Sequence, residues 1–162
     1  MCALCSINLP QAGRFMKRNI MFLAAMNFVL LFFIPFAHGA LTDRPRDGKQ
    51  IVEKSRFIID EGQKLKDAKN PDRAWLSEQG QMIYKQGTDA MNSSKLMKTL
   101  EGGRDMQRIG QKLLQTGNLL LSMGKQKGDV TPEEKEKIIK QGDTMQSFGN
   151  LMLKKGQNMG GD

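Results

Sequence analysis

The side chains that do most enzymatic work are scarce here. The chain holds two cysteines and one histidine. Cys2 and Cys5 open it and His38 follows an apolar stretch, so residues 40–162 contain neither type. That excludes Ser/His and Cys/His nucleophile arrangements from that part. It equally excludes zinc and haem sites of the usual nitrogen or sulfur type. A di-iron site in a helical bundle needs Glu-x-x-His pairs facing the core, which the same absence removes. Glu53, Asp60 and Glu61 fall off the apolar stripe described below and read as solvated acids. No disulfide is available after Cys5, although small exported domains often depend on one. The fold has to rest on an apolar core.

Aromatic residues are few as well. Beyond residue 39 only Phe57, Trp75, Tyr84 and Phe148 remain. Binding nucleic acid calls for a basic stripe with stacking aromatics. The bases here alternate with acids, as in Glu133-Glu134-Lys135-Glu136-Lys137, which is the pattern of a solvated helix face. Nucleic acid is therefore not an expected partner. An anionic membrane or envelope polymer suits the net positive charge better.

Long hydrophobic runs are absent except for one. Met16-Lys17-Arg18 opens a nearly continuous apolar segment, Ile20 to Phe36, followed by Ala37-His38-Gly39. A basic start, an apolar middle and small residues at the two inspected positions make a secretory signal, with cleavage before Ala40. The alternative is an uncleaved anchor, since the run is near the ~17-residue lower limit for a span. Residues 1–15 read as an extension ahead of a second start at Met16. Removing 1–39 takes Arg14, Lys17 and Arg18, so a formal charge of +8 becomes +5, from 22 basic and 17 acidic side chains. The expected address is periplasmic or secreted, and the expected domains are 1–39 and 40–162.

Glycine, in contrast, is abundant and ordered. Between Gly103 and Gly124 the chain reads GRDMQRIGQKLLQTGNLLLSMG, with glycine at 103, 110, 117 and 124. A glycine inside a helix costs ~1 kcal/mol against alanine, so a strict seven-residue interval needs a return. On a helical wheel the residue three after each glycine (Met106, Leu113, Leu120) lies about 60° to one side, and the residue four after (Leu114, Leu121) about 40° to the other. Glycine thus runs down an apolar groove that a neighbouring helix can enter, closer than the usual ~8–10 Å between axes.

The same pattern recurs along the chain. Asp47 to Ala68 carries Gly48, Ser55 and Gly62, with Ile51, Ile58 and Leu65 beside them and Val52 and Ile59 opposite. Pro71 to Asn92 carries Gly80, Gly87 and Ser94, with Leu76, Ile83 and Ala90, then Tyr84 and Met91. Asn70-Pro71 reads as cap and first helical residue. Glu101-Gly102-Gly103 reads as the break before the third helix, which runs to about Lys127. Thr131-Pro132-Glu133-Glu134 is a strong start for the fourth, which carries Gly142, Gly149 and Gly156 with Ile138, Met145, Met152 and Met159. Gly117-Asn118-Leu119-Leu120-Leu121 returns as Gly149-Asn150-Leu151-Met152-Leu153, a shift of 32. Repeats with short joins point to an all-α, antiparallel four-helix bundle with glycine rows at the helix contacts.

The candidate site is the set of glycine rows, read as a helix-packing or self-association groove: Gly62, Gly80, Gly87, Gly103, Gly110, Gly117, Gly124, Gly142, Gly149 and Gly156. The function this implies is that of an exported, non-catalytic envelope protein, without cofactor or metal, acting through a protein partner or as a homo-oligomer. Binding a lipid or apolar ligand through the grooved helices is the alternative. Below it stands periplasmic Cu(I) binding, because thioethers are Cu(I) ligands and Met82, Met91, Met97, Met106, Met123, Met145, Met152 and Met159 all lie beyond residue 39. Those methionines follow core rows instead of forming a tight ligand cluster, which favours flexible core filling.

Overall fold

The computed structural model describes residues 43–162. The signal peptide, its cleavage before Ala40 and the alternative anchor 20–36 lie outside the described residues. Among the described residues the molecule is all helical, a bundle of four helices packed together with no strand. Helix α1 covers residues 43–67, α2 is Arg73–Ser94, α3 is Leu100–Gly124 and α4 is Pro132–Asn158.

Each of the last three starts on a side chain that satisfies an otherwise orphaned backbone donor. Asp72 accepts from the Trp75 N–H at 2.6 Å. Thr99 Oγ1 accepts from Gly102 N–H at 3.0 Å. Thr131 and Glu134 form a reciprocal capping box, with Pro132 at the head of α4. Gly128 (φ 82°) and Gly160 (φ 87°) occupy the left-handed region where the chain turns after α3 and α4.

Two boundaries depart from the sequence reading. Asn70 and Pro71 belong to the connection and not to α2, because Asp72 takes the cap. Starting two residues later places Arg73 in the first turn, from which it reaches the α3–α4 connection. The break before α3 falls at 95–99 instead of 101–103, so Glu101, Gly102 and Gly103 are helical. The reason is tertiary. Thr99 can cap α3 because Asp47 of α1 holds it, accepting from Thr99 N–H at 2.8 Å and from Thr99 Oγ1 at 2.7 Å.

The core is one row from each helix. Ile51, Ile58 and Leu65, then Leu76, Ile83 and Ala90, then Met106, Leu113 and Leu120, then Ile138, Met145, Met152 and Met159 are all buried. Every one of these sits three residues after a position on its helix's seven-residue small-residue register, which Arg73 and Lys135 occupy below Leu76 and Ile138. Ile109, Met123 and Val130 complete the core, and Trp75, Phe57 and Phe148 pack against its edge.

Candidate functional site

The glycines lie where backbones meet. A Cβ built on Gly80 would fall 2.8 Å from the backbone N of Leu121, and one on Gly87 2.8 Å from that of Leu114. From the other side, a Cβ on Gly110 would meet Met91 N at 2.9 Å and one on Gly117 would meet Tyr84 N at 2.7 Å. Numbers rise along α2 as they fall along α3. The same holds for α1 and α4: Gly62 faces the Gly142 oxygen at 2.8 Å, Gly149 faces Ile59 Cγ1 at 2.7 Å and Gly156 faces Val52 Cγ2 at 2.8 Å. Carbon contacts are optimal near ~3.5–4 Å, so a methyl group at any of these positions forces a shift.

A reciprocal rule emerges. Along the middle of the rows, the residue four after a groove glycine, or after Ser55, lies over a glycine of the paired helix. Tyr84 covers Gly117 and Met91 covers Gly110, while Leu121 covers Gly80 and Leu114 covers Gly87. In the other pair Val52 covers Gly156, Ile59 covers Gly149, Lys66 covers Gly142 and Gln146 covers Gly62. Gly124 meets Ser77 and the Arg73 carbonyl oxygen at the end of its row, whereas Gly103 is only loosely covered, its nearest neighbour being the Ser94 carbonyl oxygen at 3.2 Å. The grooves are occupied by the chain's own side chains.

The position just before the small residue does a different job, and sequence reasoning missed it. It turns toward the neighbouring pair and carries polar links. Lys54 Nζ donates to Gln86 Oε1 at 2.9 Å, joining α1 to α2. Gln141 Nε2 donates to Thr116 Oγ1, and Lys155 Nζ to Asp105 Oδ1 at 2.8 Å, joining α4 to α3. Asp47 holds Thr99 in the same manner. Glu61 belongs to this row, so its reading as a solvated acid is corrected: its side chain is 3% exposed, with Oε1 accepting from Lys64 Nζ at 2.6 Å. Glu61 Oε2, Gln79 Oε1 and Asp105 Oδ2 are buried oxygens without a hydrogen-bond partner among the described residues. Glu53 and Asp60 are exposed.

The strongest polar unit sits at the end away from residue 43. All five N–H donors of Arg73 are used. Two go to the Glu134 carboxylate at 2.8 Å each, and the others to the carbonyls of Met123, Gly128 and Asp129. A planar guanidinium suits such a fork. The Arg73 hydrogen bond, then the Thr131 N–H, hold the Glu134 carboxyl below its ordinary range. The same partner raises Arg73. A hydrogen bond to Glu61 raises Lys64, and burial lowers Lys112, a half-buried lysine of α3.

No group of three or more histidine, cysteine, aspartate or glutamate side chains able to hold a metal ion occurs among the described residues. Met106, Met123, Met145, Met152 and Met159 are buried in the core, where thioether flexibility fills space beside the glycines. Against protein-family models, curated proteins and solved structures, the chain matches none.

Proposed function

We propose that the chain is an exported, non-catalytic helical protein of the cell envelope that acts by binding another protein or a second copy of itself. The architecture we read as an antiparallel four-helix bundle tied by heptad-spaced glycine rows, preceded by a signal peptide removed before Ala40. One observation carries the non-catalytic reading. Of the buried polar side chains, Asp47, Ser55, Thr116 and Glu134 are hydrogen-bonded within or between helices, and Glu61 and Asp105 each hold a lysine through one oxygen and leave the other unpartnered. None of the six lines the surface depressions beside Trp75, Arg73 or Leu100. Because the glycine grooves are filled internally, binding falls to the outer surface.

Affinity purification of the tagged protein from its native envelope tests this reading, with N-terminal sequencing on the same sample. A start at Ala40 and a stoichiometric co-purifying protein, or a dimer mass, support it. A chain retaining residues 20–36 moves the address to the anchored form. Tight one-to-one Cu(I) uptake that disappears when Met145 and Met152 become leucine would replace the reading with metal binding. Attachment to lipid is the second reading, and the observation that favours it is the pair of leucines exposed at one end of the bundle.

A further inference from the structure

We propose that the connection between α2 and α3 is a membrane-docking tip whose partner is an anionic phospholipid surface; this rests on the export reading above. Leu96 and Leu100 are 77% and 71% exposed, more than the other large apolar side chains left outside the core, Tyr84, Ile139 and Leu151. They stand four residues apart on one short turn and helix start, with Met97 half-buried behind them. Beside them lies a surface depression of about 520 Å³, to which Lys95, Lys98 and Arg104 contribute and no acidic side chain does. None of these three cations forms an ion pair among the described residues. Exposed leucines rimmed by unpaired cations are the arrangement that inserts at the acyl boundary while the charges meet anionic headgroups.

Arg44 Nη2 lies 3.4 Å from Glu101 Oε2, and Asp47 accepts from Thr99, so α1 begins beside this tip. At the opposite end, residues 68–72 and 125–131 carry no exposed large apolar side chain among the described residues. A second copy seated tip to tip would bring cation against cation, which disfavours it.

Residues 40–162 form a unit containing the whole core, so this piece is the one to test. It is co-sedimented with vesicles of phosphatidylcholine, with and without one-third phosphatidylglycerol. Binding is expected only with phosphatidylglycerol, and it falls with added salt. Leu96→Asn with Leu100→Asn, and separately Lys95→Gln with Lys98→Gln and Arg104→Gln, each weaken it about tenfold or more. Leu151→Asn, at an exposed leucine on the flank of α4, leaves it unchanged. Thermal melting by circular dichroism confirms that each variant is folded. No binding by the parent protein overturns the proposal, as does binding indifferent to the tip variants. A dimer that the leucine variants convert to monomer, with no vesicle binding, assigns the surface to a second copy and overturns it too. Failure of the export reading is seen separately, as an unprocessed cytoplasmic chain, and leaves the vesicle result standing.

Discussion

The α2–α3 seam and the α1–α4 seam are built on one spacing and covered differently. Along α2–α3 the covers are apolar, Tyr84, Met91, Leu114 and Leu121, except at the end of the row, where Ser77 lies over Gly124. Along α1–α4 the covers change character with position. Val52 and Ile59 lie over Gly156 and Gly149, but Lys66 and Gln146 lie over Gly142 and Gly62. There Lys66 Nζ donates to Gln146 Oε1 at 3.0 Å and pairs with Asp143 at 2.8 Å. The backbones approach as closely under the polar cover as under the apolar one. Glycine at the groove therefore sets the distance, and the residue four further on decides whether the seam also removes apolar surface from water. Distance and dryness are separable properties of these helices.

The sharpest test overfills a seam. Gly117→Leu should destabilise by about 3 kcal/mol, because Tyr84 presents backbone at the site and a branched side chain has no way out. Gly142→Leu should cost about as much, since its Cβ would fall 2.5 Å from the Gly62 carbonyl oxygen, which cannot swing aside as the Lys66 tail can. Gln115→Leu on the exposed face of α3 should stay within about 0.5 kcal/mol. Urea denaturation of the three variants gives the ranking. A Gly117→Leu protein as stable as its parent would mean that the seam is not closed in the isolated molecule.

The two pairs are held together by links other than glycine. Lys155→Ala removes the closest partner of Asp105, whose side chain is 2% exposed. It should cost about 2 kcal/mol, because a buried carboxylate is left short of partners. Asp105→Ala should cost less, since Lys155 can turn to solvent. Equal losses in the two variants would show that the ion pair has no special part in joining α3 to α4.

Truncating the covers separates dryness from distance. Leu121→Ala should lose about 1 kcal/mol from the half-buried apolar contact over Gly80. Lys66→Ala over Gly142 should change stability by no more than about 0.5 kcal/mol. A loss at Lys66 matching that at Leu121 would refute the distinction between the two seams.

The smallest effect concerns acid. Glu134 has a depressed carboxyl in the folded chain. Its contribution is present above the unfolded carboxylate value and is lost as the pH falls through the lower, folded one. The urea midpoint of the parent protein should therefore fall further between neutral pH and about pH 3 than that of Glu134→Gln. Parallel curves would show that the Arg73 fork adds nothing that titrates.

Much of this was legible in advance, for a physical reason. The row three after each small residue was readable as core because helix periodicity is local, and Leu113, Ile58 and Met152 are buried where the wheel puts them. The Thr131 capping box was readable for the same reason. Glu61 was not. Its position one before a glycine is inward only because another helix lies on that side, and nothing in its own neighbourhood signals that. The start of α3 was misjudged likewise, since two consecutive glycines look like a break until Asp47 is seen holding the cap. A Cβ on Gly102 would fall 2.7 Å from that carboxylate oxygen.

What the sequence by itself determined is the set of parts: four amphipathic helices, each with a groove of small residues and a buried apolar row. These follow from hydrogen bonding and side-chain spacing within single turns. What only the tertiary structure decided is which groove meets which. Rows of equal spacing are interchangeable, so spacing cannot choose among partners. The choice of α1 with α4 and α2 with α3 shows in contacts between residues far apart in sequence. Lys66 and Gln63 reach Gln146, and Arg73 reaches the Met123 carbonyl oxygen, while Lys54 with Gln86 and Gln141 with Thr116 tie one pair to the other. Those contacts exist only once the helices are assembled, because each joins groups that no local segment brings together.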